Sequence, residues 1–171
     1  MSMVHAASEN STTWLTNLDE NCVQQAAVDL RIKTISRILP SLFIIDEDTK
    51  MHRETEPVPL QADGYWYLEP GSYEFTTDHI IKMGPDEAGF VITRSTLNRN
   101  AAFITSGAYD PSYRGAMAGC LHVNVGAMKI KPGTRVGQML LWKAEALKQY
   151  DGDYGLDAQG NPKDMEAKYH S

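Results

Sequence analysis

Short β-favouring runs separated by glycine and proline are the feature that most limits the folds open to this chain. From Asp29 onward the runs include YWYL, SYEFTT, GFVIT, AFIT, CLHVNV, MKI and QMLLW, and the breaks between them include EPGS, MGPDEAG, YDPSYRG and IKPGT. Many short strands at intervals of about 8–12 residues, with turn residues between them, are typical of a β sandwich, jelly roll or barrel. A parallel α/β sheet needs helices of about ten or more residues between its strands, and these intervals leave no room for them. The sequence therefore predicts a mainly β fold.

The chain divides by composition into three parts. With 171 residues it is long enough for one domain with its own core. We predict an N-terminal extension at residues 1–20, a β domain at 21–150 and a C-terminal arm at 151–171. The stretch TTWLTNLDENCVQQAAV is compatible with a short N-terminal helix. The last part contains four glycines or prolines and many charges, which predicts a mobile arm.

Composition and charge exclude several classes of protein. The apolar fraction of 42% and the charged fraction of 22% are ordinary for a globular protein. No run approaches the roughly 18 apolar residues of a membrane-spanning helix, and the N-terminus does not have the pattern of a secretory signal. The net charge of −6 argues against binding to duplex nucleic acid, although a locally basic site for a small anion stays open.

Cysteines and histidines are too few and too scattered for a zinc site. Cys22 and Cys120 form no CxxC pair, and the five histidines show no i, i+4 spacing. A zinc-dependent nucleobase deaminase needs such ligands to hold its metal, so this class is excluded. Two unpaired cysteines also fit a reducing, cytoplasmic setting.

Three segments carry polar residues that could belong to a binding site. ITRSTLNR places Arg94, Ser95 and Arg99 directly after an apolar strand, and guanidinium and hydroxyl groups are good donors to phosphate oxygens. An ordinary solvated strand end would look the same.

Asp29 lies within the apolar run AAVDLRI. Because unpaired burial of a carboxylate is costly, the Asp29 side chain either caps a turn or points into a polar pocket. Gln138 lies inside the strand QMLLW, where a glutamine usually faces water.

The nine residues GAYDPSYRG, from Gly107 to Gly115, have two interpretations. Asp-Pro followed by a small polar residue is an ordinary turn signal. Alternatively, Asp110 activates a group held against Tyr113. The nine residues alone favour the turn.

Taken in order, these segments resemble the superfamily of dCTP deaminases and trimeric dUTPases. The similarity runs from about Gln25 to Tyr169 and includes LEPGSYEFTT, which resembles the strand before the phosphate motif, and AKYHS, which resembles the deaminase tail. The matching motif residues are Asp29 in AAVDLR, Arg94 and Ser95 in TRSTLNR, Asp110 and Tyr113 in YDPSYRG, and Gln138 in PGTRVGQML.

The resemblance implies a distorted β jelly roll, a homotrimer with sites between subunits, and a deoxynucleoside triphosphate substrate bound with Mg²⁺. It implies that Asp110 orients and deprotonates the attacking water, and that Tyr113 packs under the deoxyribose and excludes a 2′-hydroxyl. Uracil recognition would come from the hairpin backbone around residues 106–109. The other implied roles are phosphate binding by Arg94, Ser95 and Gln138, metal support through water by Asp29, a deaminase-type position for Arg99, and contacts to phosphate and base by Lys168 and Tyr169.

The two chemistries of the superfamily are distinguished by one carboxylate. The deaminases carry a glutamate ten residues after the motif aspartate, and here that position is Cys120. No Glu or Asp occurs from Arg114 through Ala144, so the ring chemistry lacks its general acid and base. Tyr113 is also the dUTPase form of the motif. A dUTP diphosphatase that produces dUMP and pyrophosphate is therefore favoured.

The C-terminal segment keeps two alternatives open. The glycine-rich closing arm of the dUTPases is missing, and Lys168 and Tyr169 match the deaminase arm instead. The first alternative is a dCTP deaminase or a hydrolase of another deoxypyrimidine triphosphate. The second is a regulatory protein that binds nucleotides without turnover.

Overall fold

The computed structural model describes residues 2–163 and confirms a mainly β fold. Lys168 and Tyr169 lie outside the described residues. In the described part no helix is long and apolar enough to cross a membrane. The elements are β1 (Met3–Val4), β2 (Trp14–Leu15), β3 (Val28–Ile38), β4 (Ile44–Ile45), β5 (Lys50–Met51), β6 (Thr55–Pro57), β7 (Trp66–Leu68), β8 (Gly71–Lys82), β9 (Glu87–Thr93), α1 (Ser95–Arg99), β10 (Ala102–Thr105), β11 (Arg114–Val123), β12 (Met128–Ile130) and β13 (Arg135–Lys143).

Most strands belong to one curled antiparallel sheet with the order β1-β13-β3-β8-β11-β10. β9 pairs with β13, β2 with β8 and β6 with β3, while β7–β12 and β4–β5 form two small ribbons. β3 pairs with β13 through its first residues and with β8 through its last residues, with a register shift between Ile32 and Thr34. Such irregularities bend a strand, so β3 can join the two parts of the sheet.

The core is formed by the alternate residues that these strands turn inward. Leu30, Ile81, Met117 and Leu141 are among the fully buried side chains, and they belong to one hydrophobic cluster. Side chains on a strand alternate between its two faces, which explains why apolar and exposed positions alternate in the sequence. Each such buried side chain contributes about 1.5–3 kcal/mol to stability.

The prediction of a short N-terminal helix in TTWLTNLDENCVQQAAV is wrong. In the described residues the only helix is α1, and Trp14–Leu15 form a strand instead. Leu15 is buried opposite Ile81 of β8, whereas Trp14 is exposed, which is the two-residue period of a strand. Asp19 then accepts hydrogen bonds from the backbone N–H groups of Asn21 and Cys22 at 2.9 and 3.1 Å, so this stretch forms a local turn. Tertiary pairing and a local side-chain bond thus override the helix propensity.

The N-terminal segment is joined to the main sheet through Glu87. This fully buried carboxylate accepts hydrogen bonds from Ser11 Oγ at 2.9 Å and from the backbone N–H groups of Thr12 and Thr13 at 3.0 Å. Lys143 Nζ lies 2.9 Å from Glu87 Oε1. The division of the chain at residues 20 and 150 stays a prediction, but residues 11–13 pack on the β domain.

Candidate active site

Asp29 and Gln138 are brought together by the pairing of β3 with β13. The two residues are direct partners in the antiparallel register, and such partners point to the same face of a sheet. Gln138 Nε2 donates to Asp29 Oδ1 at 3.1 Å. Two residues far apart in the sequence are therefore neighbours for a reason that lies in the strand register.

Two arginines complete a cluster around the same carboxylate, which we call the Asp29 cluster (Asp29, Arg94, Arg135 and Gln138). Arg94 follows β9, and its Nη1 lies 3.5 Å from Asp29 Oδ2. Arg135 Nη1 lies 3.1 Å from the same oxygen. Asp29 is fully buried, while the side chains of Arg94 and Arg135 are 28% and 32% exposed to solvent. The carboxylate therefore holds two guanidinium groups at the surface, where an anion can reach them.

Arg135 was missed by the reasoning from sequence. It lies three residues before Gln138, a spacing that would put the two on opposite faces of a regular strand. A register shift between Arg135 and Gly137 brings both side chains to Asp29. Nothing in PGTRVGQML marks this bulge, so only the structure could reveal the third donor.

Ser95 and Arg99 are the first and last residues of α1. Both are exposed, and neither is among the donors to Asp29. Ser95 directly follows Arg94, so it lies at the rim of the Asp29 cluster. Arg99 lies at the far end of the helix, and its predicted role stays a prediction.

The stretch GAYDPSYRG is both a turn and the wall of a cavity. The backbone N–H of Tyr113 donates to the carbonyl of Asp110 at 3.1 Å, and Ser112 adopts φ 70°, which closes a tight turn. The buried Tyr113 hydroxyl donates to the carbonyl of Ala116 at 2.9 Å. Asp110 is exposed and lies in a neighbouring shallow cleft with residues 144–151.

The cavity beside this turn has a volume of about 610 Å³. Its aromatic lining consists of Phe43, His52, Tyr109, Tyr113, Tyr150 and Tyr154. Tyr113 meets Tyr109 and Tyr150 edge to face, with ring centroids 5.5 and 5.1 Å apart. A cavity of this size and aromatic character suits a small planar ligand.

The predicted site residues therefore fall into two separate groups within one chain. Asp29, Arg94 and Gln138 form the Asp29 cluster, whereas Asp110 and Tyr113 belong to the turn and its cavity. No residue of the Asp29 cluster lines that cavity.

A metal held directly by the protein does not fit these residues. Both oxygens of Asp29 already accept hydrogen bonds, and two guanidinium groups beside it would repel a cation. Within residues 2–163 no group of three or more His, Cys, Asp or Glu side chains could hold a metal ion. Magnesium fits only as an ion carried by phosphate oxygens, which is a usual way for Mg²⁺ to bind.

Comparison with known proteins places the chain in a family. The family model described as dCTP deaminase-like matches residues 2–144, so the protein belongs to the dCTP deaminase-like family. The match begins at residue 2, whereas the motifs described above begin near residue 25.

Among its relatives, the probable deoxyuridine 5′-triphosphate nucleotidohydrolase of Methanopyrus kandleri is 31% identical over 142 residues, which cover 81% of this chain and 91% of that protein. The probable deoxyuridine 5′-triphosphate nucleotidohydrolase of Aeropyrum pernix is 29% identical over 136 residues, which cover 77% of this chain and 84% of that protein.

Two solved structures share the fold at low identity. The dCTP deaminase of Agrobacterium tumefaciens gives a TM-score of 0.59 at 18% identity over 80% of this chain, which spans 45% of that protein's length. The EIAV dUTPase gives a TM-score of 0.52 at 15% identity, with 82% of this chain and 94% of that chain covered. The jelly-roll fold of the dUTPase type is therefore confirmed.

Proposed function

We propose that the protein hydrolyses dUTP to dUMP and pyrophosphate. The observation that carries this proposal is the Asp29 cluster, in which a buried carboxylate holds two guanidinium groups and an amide at the surface. Relatives of similar length are named as deoxyuridine triphosphate nucleotidohydrolases. A nucleotide hydrolase of this kind is expected to work in the cytoplasm.

The Asp29 cluster would bind the triphosphate. Arg94 and Arg135 offer N–H donors in a fixed planar arrangement that matches phosphate oxygens, and Gln138 adds a neutral donor. Ser95, next to Arg94, would add its hydroxyl. Mg²⁺ would arrive with the phosphates and neutralise part of their charge. Once the nucleotide has displaced part of the cluster, Asp29 would contact the water molecules around the Mg²⁺ ion.

Asp110 would act on the attacking water. Its carboxylate is exposed at the edge of the cleft, and it lies three residues before the Tyr113 ring that lines the cavity. A carboxylate that accepts a proton from water as the phosphorus–oxygen bond forms is a general base. The bond between the α- and β-phosphates breaks, and pyrophosphate leaves.

A second copy of the chain would unite the two groups of residues. β1, β13 and β9 expose an apolar face that includes Met3, Phe90 and Ile92, and Phe90 packs against Trp142 with ring centroids 4.9 Å apart. Ile92 is the register partner of Gln138, so this face continues into the Asp29 cluster. Exposed apolar faces of this kind are typical of subunit interfaces. A homotrimer would bring the Asp110 turn of one copy to the Asp29 cluster of another.

The first experiment is to incubate the protein with Mg²⁺ and, separately, with dUTP, dCTP, dTTP and UTP, and to resolve the products by chromatography. Formation of dUMP and pyrophosphate from dUTP supports the proposal. Release of ammonia with dUTP from dCTP would favour the deaminase, and no turnover despite binding would favour the regulatory protein.

The Asp110→Asn variant then tests the mechanism. Loss of a general base is expected to lower kcat by about 10²-fold or more, while the dissociation constant for a non-hydrolysable dUTP analogue stays within about twofold. Asp151→Asn is the matched control because Asp151 is an exposed carboxylate in the same cleft. Equal activity of the two variants would contradict the role of Asp110.

A further inference from the structure

One buried hydroxyl group in the core has no hydrogen-bond partner in the part of the chain that the structure describes. It belongs to Thr77 on β8, a residue that is only 6% exposed. Within residues 2–163, Thr77 Oγ1 is the one buried side-chain oxygen or nitrogen atom that makes no hydrogen bond. Native proteins pair almost all buried polar groups, because a hydroxyl that leaves water without a new partner is destabilising. An unpaired hydroxyl at this depth therefore points to a ligand within its reach.

A small cavity beside Thr77, which we call the β8 cavity, has room for that ligand. Its volume is about 10 Å³, close to the smallest space that holds one ordered water molecule and far too small for an organic ligand. Its apolar lining consists of Leu30, Phe75, Val91, Ile104, Met117 and Val136. A cavity with only apolar walls stays dry, whereas polar groups in the wall make water binding favourable. The Thr77 hydroxyl supplies the first such group.

Two further hydroxyl groups belong to residues that line the β8 cavity. Ser106 Oγ accepts from the backbone N–H of Val91 at 3.4 Å and donates to the carbonyl of Gly107 at 3.1 Å, so its second lone pair can accept from a water. Tyr109 Oη donates to the carbonyl of Ala118 at 3.4 Å, and its lone pairs can accept as well. A buried water typically makes about three hydrogen bonds, and three hydroxyl groups can provide them.

The pairing of β8 explains why a gap forms at this point of the core. β8 lies between β3 and β11, and both ladders shift register next to Thr77. The shift in β3 falls between Ile32 and Thr34, and the shift in β11 falls between Ala116 and Ala118. Such irregularities leave a residue outside the ladder and bend the strand. With both neighbouring strands bent, the side chains around Thr77 do not close the last space between them.

We propose that the β8 cavity binds one structural water molecule. The water accepts a hydrogen bond from the Thr77 hydroxyl and donates its two protons to Ser106 Oγ and Tyr109 Oη. It thereby connects β8 with residues 106–109, the segment that leads from β10 into the turn GAYDPSYRG. The inference depends on the core alone, so it is independent of the reaction that the protein catalyses.

The first test detects the water directly in the wild-type protein. A high-resolution crystal structure should show a density peak within hydrogen-bond distance of Thr77 Oγ1, and water–amide Overhauser spectra should show a long-lived water near the amide of Met117. Thr77→Ser keeps the hydroxyl and should keep both signals, whereas Thr77→Val should lose them. Thr76→Val is the matched control, because Thr76 is also 6% exposed but its Oγ1 already bonds Thr34 Oγ1 at 2.6 Å. No peak and no Overhauser signal in the wild-type protein would overturn the proposal, even if a variant fails to fold.

The stability of Thr77→Val provides a second test through its sign. Valine has the same shape, so if the hydroxyl binds water the variant loses a hydrogen bond and its Tm should fall by about 2–4 °C. If the hydroxyl is unpaired, valine removes the cost of burying it and the Tm should rise, which would show that the inference is wrong. The amide of Tyr109, which donates to the carbonyl of Gly89 at 2.7 Å, should exchange faster in Thr77→Val than in Thr77→Ser. Equal exchange in the two variants would contradict the connection to residues 106–109.

Discussion

Replacement of Glu87 by glutamine is expected to release the N-terminal segment from the sheet. The Glu87 carboxylate is fully buried and accepts hydrogen bonds from Ser11, from the backbone of Thr12 and Thr13, and from Lys143. Glutamine has the same length, but its NH₂ group would face donors instead of accepting from them. The variant therefore loses the charge and at least one of the bonds that hold residues 11–13.

The size of the effect follows from the pKa of this carboxyl group. Burial opposes the charged form, but the hydrogen bonds from Thr13, Lys143, Thr12 and Ser11 outweigh it and lower the pKa of Glu87 from 4.5 to about 2. A difference of this size corresponds to about 3 kcal/mol of folding free energy. Because the pKa is lower in the folded state, this stability is present above about pH 4.5 and is lost as the pH falls toward 2, with about 2 kcal/mol lost by about pH 3.

The assay is urea unfolding at several pH values, combined with hydrogen exchange at the amides of Thr12 and Thr13. At pH 7 the Glu87→Gln variant should be less stable than the wild-type protein by about 3 kcal/mol, and the gap should narrow in acid. Asp86→Asn is the control, because Asp86 is an exposed carboxylate that also lies 2.9 Å from Lys143 Nζ. A loss below about 1 kcal/mol at pH 7, or a gap that stays constant in acid, would refute the reasoning.

Two further substitutions test the Asp29 cluster and the cavity. Asp29→Asn leaves Arg94 and Arg135 without their buried counter-charge; because both guanidiniums are about one third exposed, we expect a loss of about 2–3 kcal/mol, seen as a fall in Tm of about 5 °C or more, and an unchanged Tm would show that the ion pairs are not needed for folding. Tyr113→Ala should reduce the discrimination between dUTP and UTP, measured as the ratio of kcat/KM, while Tyr113→Phe keeps the ring and should retain it; equal ratios in the two variants would mean that the ring does not contact the sugar.

The mainly β fold could be predicted because its signals are local. Glycine and proline interrupt the chain at the breaks, and the short runs between them are rich in β-favouring residues. The prediction of an N-terminal helix was wrong for one distant and one local reason. Leu15 pairs with Ile81 on the distant strand β8, and Asp19 accepts hydrogen bonds from backbone groups two and three residues later, which forms a turn instead of a helix.

The site was predictable only where a motif carries it. Asp29 and Gln138 were found through resemblance, and the structure explains them by direct pairing of β3 with β13. Arg135 was missed because its place beside Asp29 depends on strand register. A bulge in β13 places its side chain beside Asp29. A single sequence contains no record of which strands are neighbours or of where a bulge shifts the register.

The two groups of site residues differ in what completes them. Within residues 151–163, Leu156 lies against β11 of the same chain, since its backbone N–H donates to the carbonyl of Arg114 at 2.6 Å. The close contact between β11 and this segment requires a glycine in each. A Cβ at Gly115 would come within 2.6 Å of Gly155 Cα, and a Cβ at Gly155 would come within 2.2 Å of the Arg114 carbonyl oxygen. The chain thus closes its own aromatic cavity with Tyr150 and Tyr154. The Asp29 cluster, by contrast, borders an apolar face that is exposed in one copy. Under the proposed function, base recognition would be a property of a single chain, whereas hydrolysis would depend on assembly.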